Sequence, residues 1–330
     1  MTFDDNNLIS IRNLTVSYRT GGGLFRSSQT FNAVDGVSLD IKKGETLGLV
    51  GESGCGKSTL GKAILQLTKS SAGSIVFDGV ELTDLTNSSM REVRKNAQMI
   101  FQDPYASLDP RMTSGEIVAE PLRAFKLDAG NKQIENLLNI VGLRSEFKAR
   151  LPREMSGGQR QRIGIARALG SEPDFIVADE PLSALDVSIQ AQIMNLIREL
   201  KSLRRLTILF ISHDLRAVRH LSDRIAVMYL GRIVEIANAD ELYSEPLMPY
   251  TQALLSAIPV ADPKAVRRER IVLKGDVPSP HDPPSGCRFR TRCQYAIDDC
   301  ARVTPELVEI KPLHFAACIR ISPEHPRIER

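Results

Sequence analysis

Short apolar runs alternate with segments of helical periodicity along most of the chain. The runs that predict buried or half-buried strands are residues 8–18, 33–41, 45–50, 97–101, 174–178, 207–211 and 224–228. Apolar positions three or four residues apart predict helices over residues 57–66, 115–125, 133–141, 158–169 and 188–203. Because strands and helices alternate at this spacing, the pattern predicts an α/β domain with a mostly parallel sheet.

The pattern changes near residue 260. Nine of the chain's 18 prolines and four of its five cysteines lie in residues 261–330. Prolines between residues 278 and 284 would interrupt any helix there. We therefore predict one domain over residues 1–260 and a separate, proline-rich and loop-rich extension over residues 261–330.

Composition and charge narrow the classes of function. The 330 residues are 42% hydrophobic and 25% charged, as in ordinary globular proteins. A net charge of +3, from 43 Lys and Arg against 40 Asp and Glu, disfavours nucleic-acid binding through bulk positive charge. The apolar runs are shorter than a bilayer span, and the acidic start at Asp4 and Asp5 differs from a signal peptide. We therefore expect a cytoplasmic location.

A glycine-rich segment directly after the strand predicted at residues 45–50 matches the phosphate-binding pattern G-x-x-x-x-G-K-[ST]. It consists of Gly51, Glu52, Ser53, Gly54, Cys55, Gly56, Lys57, Ser58 and Thr59. Glycines let successive backbone N–H groups point into one concavity, and the following helix adds its positive dipole end. Lys57 is predicted to reach the β- and γ-phosphates, and Ser58 to bind Mg²⁺. Cys55 is interpreted as a small residue in this loop, with a reactive thiol as the alternative.

Polar residues follow other predicted strands. Asp179 and Glu180 end the run at residues 174–178, where ligands bind in an open α/β sheet. Asp179 is predicted to hold Mg²⁺, and Glu180 to orient and polarise the attacking water. Gln102 and His213 each end another strand. A second glycine-rich helix start, suited to an anion, contains Ser156, Gly157, Gly158 and Gln159.

In this order, the motifs resemble the ATP-binding subunits of ABC transporters over about residues 8–260. The resemblance implies a P-loop NTPase of ABC type: a mixed sheet with a RecA-like core, an antiparallel β subdomain and a helical subdomain at about 103–170. It identifies the loop at Gly51 as Walker A, Asp179 and Glu180 as Walker B, and Ser156 to Gln159 as the signature, with Met155 replacing the usual leucine. Further residues matching family motifs are Gln102 of the Q-loop, Asp186 of the D-loop at residues 183–186, the switch histidine His213 and the adenine-stacking Tyr18.

The family implies ATP and Mg²⁺ as ligands, with Ser58, Gln102 and Asp179 around the metal. It also implies a head-to-tail dimer in which the signature of one ATP-binding subunit closes over ATP on the other. Because this chain has one copy of each motif, it must pair with itself or with a similar subunit. We expect an active ATPase, with Glu180, Gln102 and His213 as catalytic residues.

A closer resemblance is to the ATPases of bacterial oligopeptide and dipeptide importers, in particular the subunit with an extra loop near residues 19–31. The segments FQDPYASLDPR at residues 101–111 and PLMPYTQALL at residues 246–255, together with the cysteine tail, carry it. It implies a peripheral subunit on the cytoplasmic side of the inner membrane, two transmembrane permease subunits and a periplasmic peptide-binding protein. Residues 104–111 would face the permeases, with an ordinary surface loop as the alternative. Nickel complexes or glutathione are alternative cargoes.

A soluble ABC-type ATPase that acts on nucleic acid is the alternative from another class. Such proteins usually have a long coiled-coil insertion or two cassettes in one chain, and this sequence has neither pattern. Residues 261–330 hold 13 Lys and Arg against 10 Asp and Glu, which is too balanced for a nucleic-acid module. We therefore expect no nucleic-acid partner.

Four cysteines of the extension form a candidate metal site: Cys287, Cys293, Cys300 and Cys318. Four soft ligands suit zinc or an iron–sulfur cluster, although their spacing lacks the tight pairs usual in zinc sites. The family resemblance favours a [4Fe-4S] cluster; Zn²⁺ and no metal remain as alternatives. His281 and His314 are expected at the surface or as donors to metal-binding residues.

Overall fold

The computed structural model describes residues 6–20, 29–183, 185–258 and 270–328, apart from the side chain of residue 87. The strands are β1 (Asn7–Thr20), β2 (Gln29–Lys42), β3 (Thr46–Val50), β4 (Ala72–Phe77), β5 (Val80–Glu81), β6 (Ala97–Ile100), β7 (Phe175–Asp179), β8 (Thr207–Ile211), β9 (Arg224–Tyr229), β10 (Arg232–Asn238), β11 (Val308–Lys311) and β12 (His314–Ala316). The helices are α1 (Lys57–Ile64), α2 (Asn87–Asn96), α3 (Pro104–Ser107), α4 (Ser114–Ala124), α5 (Asn131–Ile140), α6 (Gly157–Leu169), α7 (Val187–Arg204), α8 (Leu215–Leu221), α9 (Ala239–Ser244) and α10 (Pro249–Ser256). Short 3₁₀ segments cover Ser145–Ala149, Pro152–Glu154 and Asp298–Ala301.

Hydrophobic periodicity predicted the central elements well. Strand β8 has the predicted bounds, and α4, α6 and α7 begin and end within one residue of theirs, so these predictions are confirmed. The pattern missed β10, because Glu235 interrupts its apolar run although this residue is fully buried. Of the loop predicted near residues 19–31, residues 21–28 lie outside the described part of the chain.

The chain divides into two compact units, of which the first comprises residues 1–9, 41–46 and 77–212. Within it, β6, β7 and β8 pair in parallel, and Ile176 of β7 lies between Gln98 and Ile208 of the neighbouring strands. All residues of β7 are buried. Because the strands are parallel, their carboxyl ends share one edge, where Asp179 and the residues after β6 emerge. The elements from α3 to α6 are helical, and α4 packs on α6.

The second unit comprises residues 10–40, 47–76 and 213–330. Here β3 pairs in parallel with β9, and β9 pairs antiparallel with β10, which makes a mixed sheet. The strands β2, β1 and β4 are neighbours, in that order, in another sheet. Three fully buried aromatic rings, Tyr229, Tyr250 and Phe289, pack together, with centroids 4.7 and 5.4 Å apart.

The C-terminal extension is part of this second unit. Strand β12 pairs antiparallel with β11 and with β10, where Ile236 is opposite Phe315. Ala316, Ile310 and Ile321 form a buried cluster with Leu247 of the preceding domain. The prediction of a separate extension is therefore wrong in this respect, because its last strands need β10 to complete their hydrogen bonding and bury their apolar face.

Candidate nucleotide site

The predicted phosphate loop joins β3 to α1 in the second unit. Lys57, at the first position of α1, is 5% exposed, and its Nζ donates to the carbonyl oxygens of Gly51 (2.9 Å) and Glu52 (3.0 Å). Gly56 has a φ of 106°, and a Cβ there would lie 2.1 Å from the carbonyl oxygen of Ala33, so this position requires glycine. The loop therefore curls tightly around the lysine side chain.

Cys55 lies inside the loop with its side chain buried. Burial raises the pKa of its thiol, and the nearby charge of Lys57 only partly offsets this effect. A thiol with a raised pKa is a poor nucleophile at neutral pH. These observations favour the interpretation of Cys55 as a small packing residue.

Two residues that the sequence did not single out hold Glu52 of the loop. The backbone N–H of Glu52 donates to the hydroxyl of Tyr250 (2.9 Å). Its carboxylate accepts two bonds from the guanidinium of Arg292, at 2.7 and 3.0 Å. Arg292 and Glu52 are 240 residues apart in sequence. The only signal in the sequence that could have identified Arg292 as a candidate site residue is its position next to Cys293.

The two predicted catalytic carboxylates lie at the end of β7 in the first unit. Asp179 is 2% exposed, and Glu180 follows it with a φ of 44°. The Nε2 of Gln102 donates to Oε2 of Glu180 at 3.0 Å. The structure thus brings together Gln102 and Glu180, which are 78 residues apart in sequence.

The predicted signature begins α6, also in the first unit. Ser156 and Gln159 form a capping box: each side chain accepts a hydrogen bond from the other residue's backbone N–H, at 3.4 and 3.0 Å. Ser156 is exposed at this helix start, whereas Met155 is buried. Met155 thus packs as an apolar residue, as the usual leucine would.

The remaining predicted residues are divided between the units. Asp186 is exposed in the first unit, directly before α7, and its neighbour Ala184 lies outside the described residues. His213 is exposed in the second unit, two residues after β8. Tyr18, in the second unit, is 38% exposed, and its ring centroid lies 5.9 Å from that of Phe31.

All four cysteines of the extension line one cavity of about 20 Å³, which is large enough for about one water molecule. Burial raises the pKa of Cys287 and Cys293, and that of Cys318 to about 11. Among the described residues, no group of three or more His, Cys, Asp or Glu side chains is arranged to hold a metal ion. The predicted metal site is therefore not confirmed.

The two histidines of the extension have different environments. His281 is exposed, and its ring centroid lies 4.4 Å from that of Phe31. His314 is fully buried: its Nε2 lies 2.8 Å from Glu235 Oε1 and its Nδ1 lies 3.2 Å from Glu241 Oε1. The expectation that His314 is a surface residue or a donor to a metal-binding residue is wrong, because two carboxylates of β10 and α9 surround it.

A glycine loop between a buried strand and a helix suits the phosphates of a nucleotide, and a Gln-oriented glutamate at a parallel strand end suits activation of water. Fold and site thus define the class of P-loop nucleoside triphosphatases. Within the described residues, no helix has the length and apolar character needed to span a membrane.

Comparison with known proteins gives the particular family. The family model described as "ABC transporter" matches residues 34–183, and "Oligopeptide/dipeptide transporter, C-terminal region" matches residues 234–300. A putative peptide import ATP-binding protein from Brucella ovis is 54% identical over 320 residues, which are 95% of this chain and 98% of that protein. The oligopeptide transport ATP-binding protein AppF of Bacillus subtilis is 52% identical, over 96% of this chain and 98% of that protein.

A solved structure agrees with this relationship. The ATP-binding cassette MJ0796, as a dimer in a post-hydrolysis state with ADP and Pi, matches with a TM-score of 0.63 and 30% identity over 70% of this chain and 98% of that chain. The chain belongs to the family of ABC transporter ATP-binding subunits and is an ATPase, which confirms the predicted family and fold class.

Proposed function

We propose that the chain is the ATP-hydrolysing subunit of an ABC importer of oligopeptides or dipeptides, on the cytoplasmic side of the inner membrane. The observation that carries this proposal is the match of residues 234–300 to the C-terminal region of oligopeptide/dipeptide transporters. The names of the Brucella and Bacillus relatives, which refer to peptide import and oligopeptide transport, support the same cargo. Other subunits select the peptide, and this chain supplies the free energy of ATP hydrolysis.

In the proposed site, the backbone N–H groups of the glycine loop bind the phosphates of ATP. A Cβ added to Gly54 would meet no heavy atom within 4 Å, which supports an open face at this point of the loop. Lys57 has three N–H donors: two remain bonded to the carbonyls of Gly51 and Glu52, and the third donates to the β- and γ-phosphates. Tyr18 stacks on adenine with its exposed face.

Glu180 is the proposed general base. It accepts a proton from water while the water oxygen bonds to the γ-phosphorus and the bond from that phosphorus to the bridging oxygen breaks, which yields ADP and phosphate. The hydrogen bond from Gln102 orients Glu180 for this step. The oxygen donors of Ser58, Gln102 and Asp179 suit Mg²⁺, which would supply positive charge beside the phosphates.

The signature acts in trans in this proposal. The exposed start of α6, from Ser156 to Gln159, offers a positive helix end and a hydroxyl to the γ-phosphate held by a second ATP-binding subunit. That subunit is a second copy of this chain or a related one, and it offers its own signature in return. ATP thus bridges two subunits, and hydrolysis releases them.

The surface that faces the permeases is proposed to be residues 104–111. Asp103 caps α3 by accepting from the N–H of Tyr105 (2.7 Å), and the side chain of Asp109 accepts from the N–H of Arg111 (2.9 Å), so the segment has a defined shape. The ring of Tyr105 is 62% exposed and stacks under the guanidinium of Arg160 at 3.8 Å. An exposed aromatic ring on a rigid segment is suited to contact with another protein.

Affinity purification of the tagged full-length chain from detergent-solubilised membranes tests the transporter assignment. Two multi-span permeases and an ATP-binding partner should copurify, and a periplasmic peptide-binding protein should join when the peptide is present. DNA or ribosomes in place of permeases would contradict the proposal, and so would permeases that transport nickel complexes or glutathione instead of peptides.

A thiolate-bound [4Fe-4S] cluster in the extension is the finer part of the proposal. What supports it is the donor set, because Cys287, Cys293, Cys300 and Cys318 line one cavity; this cavity would have to widen from its volume of about 20 Å³ to hold the cluster. Four thiolates are the donor set of such a cluster, which here would hold the loop-rich segment in shape. Iron and acid-labile sulfide should be found, at about four of each per chain, in protein purified without oxygen. Zinc in place of iron, or neither metal, would overturn it.

A further inference from the structure

Glu52 of the phosphate loop is held at each of its three kinds of polar group. Its carbonyl oxygen accepts from Lys57 Nζ at 3.0 Å, its N–H donates to the Tyr250 hydroxyl at 2.9 Å, and its carboxylate accepts two bonds from Arg292. The first of these contacts restrains the phosphate-binding lysine. The other two come from α10 and from the cysteine-bearing extension.

The guanidinium of Arg292 is held in a fixed orientation by its contact with the Glu52 carboxylate. Its side chain is 8% exposed, and its two terminal nitrogens lie 2.7 and 3.0 Å from the two oxygens of the Glu52 carboxylate. Such a two-bond pair fixes the orientation of both planar groups, which a lysine would not do. Because the pair is mostly removed from water, losing Arg292 would leave the Glu52 carboxylate without its compensating charge.

The segment that carries Arg292 is continuous with the cysteine cavity. Phe289 packs against Tyr229 and Tyr250 with ring centroids 5.4 Å away, and it lines the same cavity as the four cysteines. Cys293, the residue after Arg292, also lines this cavity. The conformation of the cysteine segment therefore determines where the guanidinium of Arg292 lies.

General docking of the extension is the simpler explanation for such an ion pair. Arg327 of the extension also pairs with a carboxylate of the preceding domain, that of Glu245 directly after α9. The ion pair of Arg292 differs in its acidic partner. Glu52 is a residue of the phosphate loop, and its carbonyl oxygen accepts a hydrogen bond from Lys57. Arg327 therefore serves as a control for docking of the extension; because its side chain is 76% exposed against 8% for Arg292, the melting temperatures are needed to separate a loss of stability from a loss of loop positioning.

We propose that Arg292 is a positioning residue for nucleotide binding: it orients Glu52 and thereby Lys57, so that the cysteine-bearing extension sets the ATP affinity of the loop in its own chain. The inference rests on the proposed assignment of residues 51–59 as the ATP site. It adds that the extension acts on that site in cis through the ion pair of Arg292, while the Tyr250 hydroxyl of α10 holds the same loop residue.

The test measures the ATP dissociation constant of full-length variants at equilibrium, beside their melting temperatures. We expect Arg292→Ala to weaken ATP binding by about tenfold, Arg292→Lys by less, and Arg327→Ala not at all. Glu52→Gln should weaken binding as Arg292→Ala does, and the double variant should bind no more weakly than either single variant. In the assembled transporter, Arg292→Ala should raise the KM for ATP and leave kcat unchanged.

Several results would overturn the proposal. These are wild-type ATP affinity in Arg292→Ala, equal losses in Arg292→Ala and Arg327→Ala, or additive effects of Arg292→Ala and Glu52→Gln. If Arg292→Ala does not fold, Glu52→Gln decides, because it leaves the extension unchanged: unaltered affinity refutes the role. Lys57→Ala tests the assignment of residues 51–59 as the ATP site separately from the role of Arg292. If Lys57→Ala still binds ATP, the assignment of the loop is refuted. If Lys57→Ala loses ATP binding and Arg292→Ala binds ATP normally, only the positioning role of Arg292 is refuted.

Discussion

Glu180 combines a strained backbone with an oriented side chain. Its φ of 44° lies in the left-handed region, which costs a residue with a Cβ about 1 kcal/mol. Two backbone bonds hold it there: its N–H donates to Ile211 at 2.9 Å, and its carbonyl accepts from the N–H of Ser183 at 3.2 Å. Gln102 then fixes the carboxylate. The surrounding contacts thus keep the proposed base in one conformation before any substrate binds.

Changing Glu180 to glutamine should separate ATP binding from hydrolysis. The substituted amide can still accept the hydrogen bond from Gln102, but it cannot take a proton from water, so we expect turnover to fall by about 100-fold or more. ATP affinity should remain that of the wild type. Phosphate release and nucleotide binding, measured on the same preparation, check both expectations. Undiminished hydrolysis or lost ATP binding would contradict the assigned role.

At the scale of elements, β12 is attached to β10 by a buried charge as well as by backbone pairing. The carboxylate of Glu235 on β10 accepts from the N–H groups of Leu247 (2.7 Å) and Met248 (3.0 Å), and lies 2.8 Å from His314 of β12. Burial alone would lower the pKa of His314, but the bonds and charges of Glu235 and Glu241 outweigh this effect and raise it. Protonated His314 therefore stabilises the attached hairpin.

This attachment should depend on pH. The contribution of protonated His314 to the free energy of unfolding is complete below about pH 6.5, the pKa of an unpaired histidine. It is lost as the pH rises through the raised pKa of His314 in the folded state. His314→Gln should lower the free energy of unfolding at pH 6 by about 3 kcal/mol and remove this pH dependence. Denaturant unfolding between pH 5.5 and 9 measures both. The exposed His325→Gln serves as the control, and an equal loss in that variant would contradict the assignment.

At the scale of the whole molecule, the predicted ATPase motifs are distributed over two units. The phosphate loop, Tyr18 and His213 belong to one unit, and Gln102, the signature, the Walker B pair and Asp186 belong to the other. The chain has one copy of each motif, and the signature serine is exposed at the start of α6. In the proposed trans arrangement, a complete site therefore needs a second ATP-binding subunit.

ATP should accordingly control association. We expect Glu180→Gln with ATP and Mg²⁺ to pair with a second ATP-binding subunit, or with itself, and to separate when ADP replaces ATP. Adding Ser156→Arg should block association while ATP still binds, because a bulky side chain would stand where the partner's nucleotide docks. Light scattering measures the mass. A mass independent of nucleotide, or association retained with Ser156→Arg, would contradict this arrangement.

Local chemistry made much of this predictable. Apolar periodicity is a property of consecutive residues, so β8 and α7 were recognised with nearly their final bounds. The glycine loop, too, is contiguous, and its function follows from backbone freedom next to a lysine. Prediction failed where a single polar residue interrupts an apolar run. Strand β10 was missed because it contains Glu235, and the sequence did not show that His314 would neutralise the charge of this residue.

By itself, the sequence determined the family, the order of the motifs and the residues proposed to bind and hydrolyse ATP, because each motif works through neighbouring residues. Only the tertiary structure decided that the extension completes the edge of β10 and that Arg292 reaches Glu52 across 240 positions. The physical reason is that both contacts join residues far apart in sequence. Such a contact depends on the path of the whole folded chain, which cannot be read from residue types and motif spacing at either end.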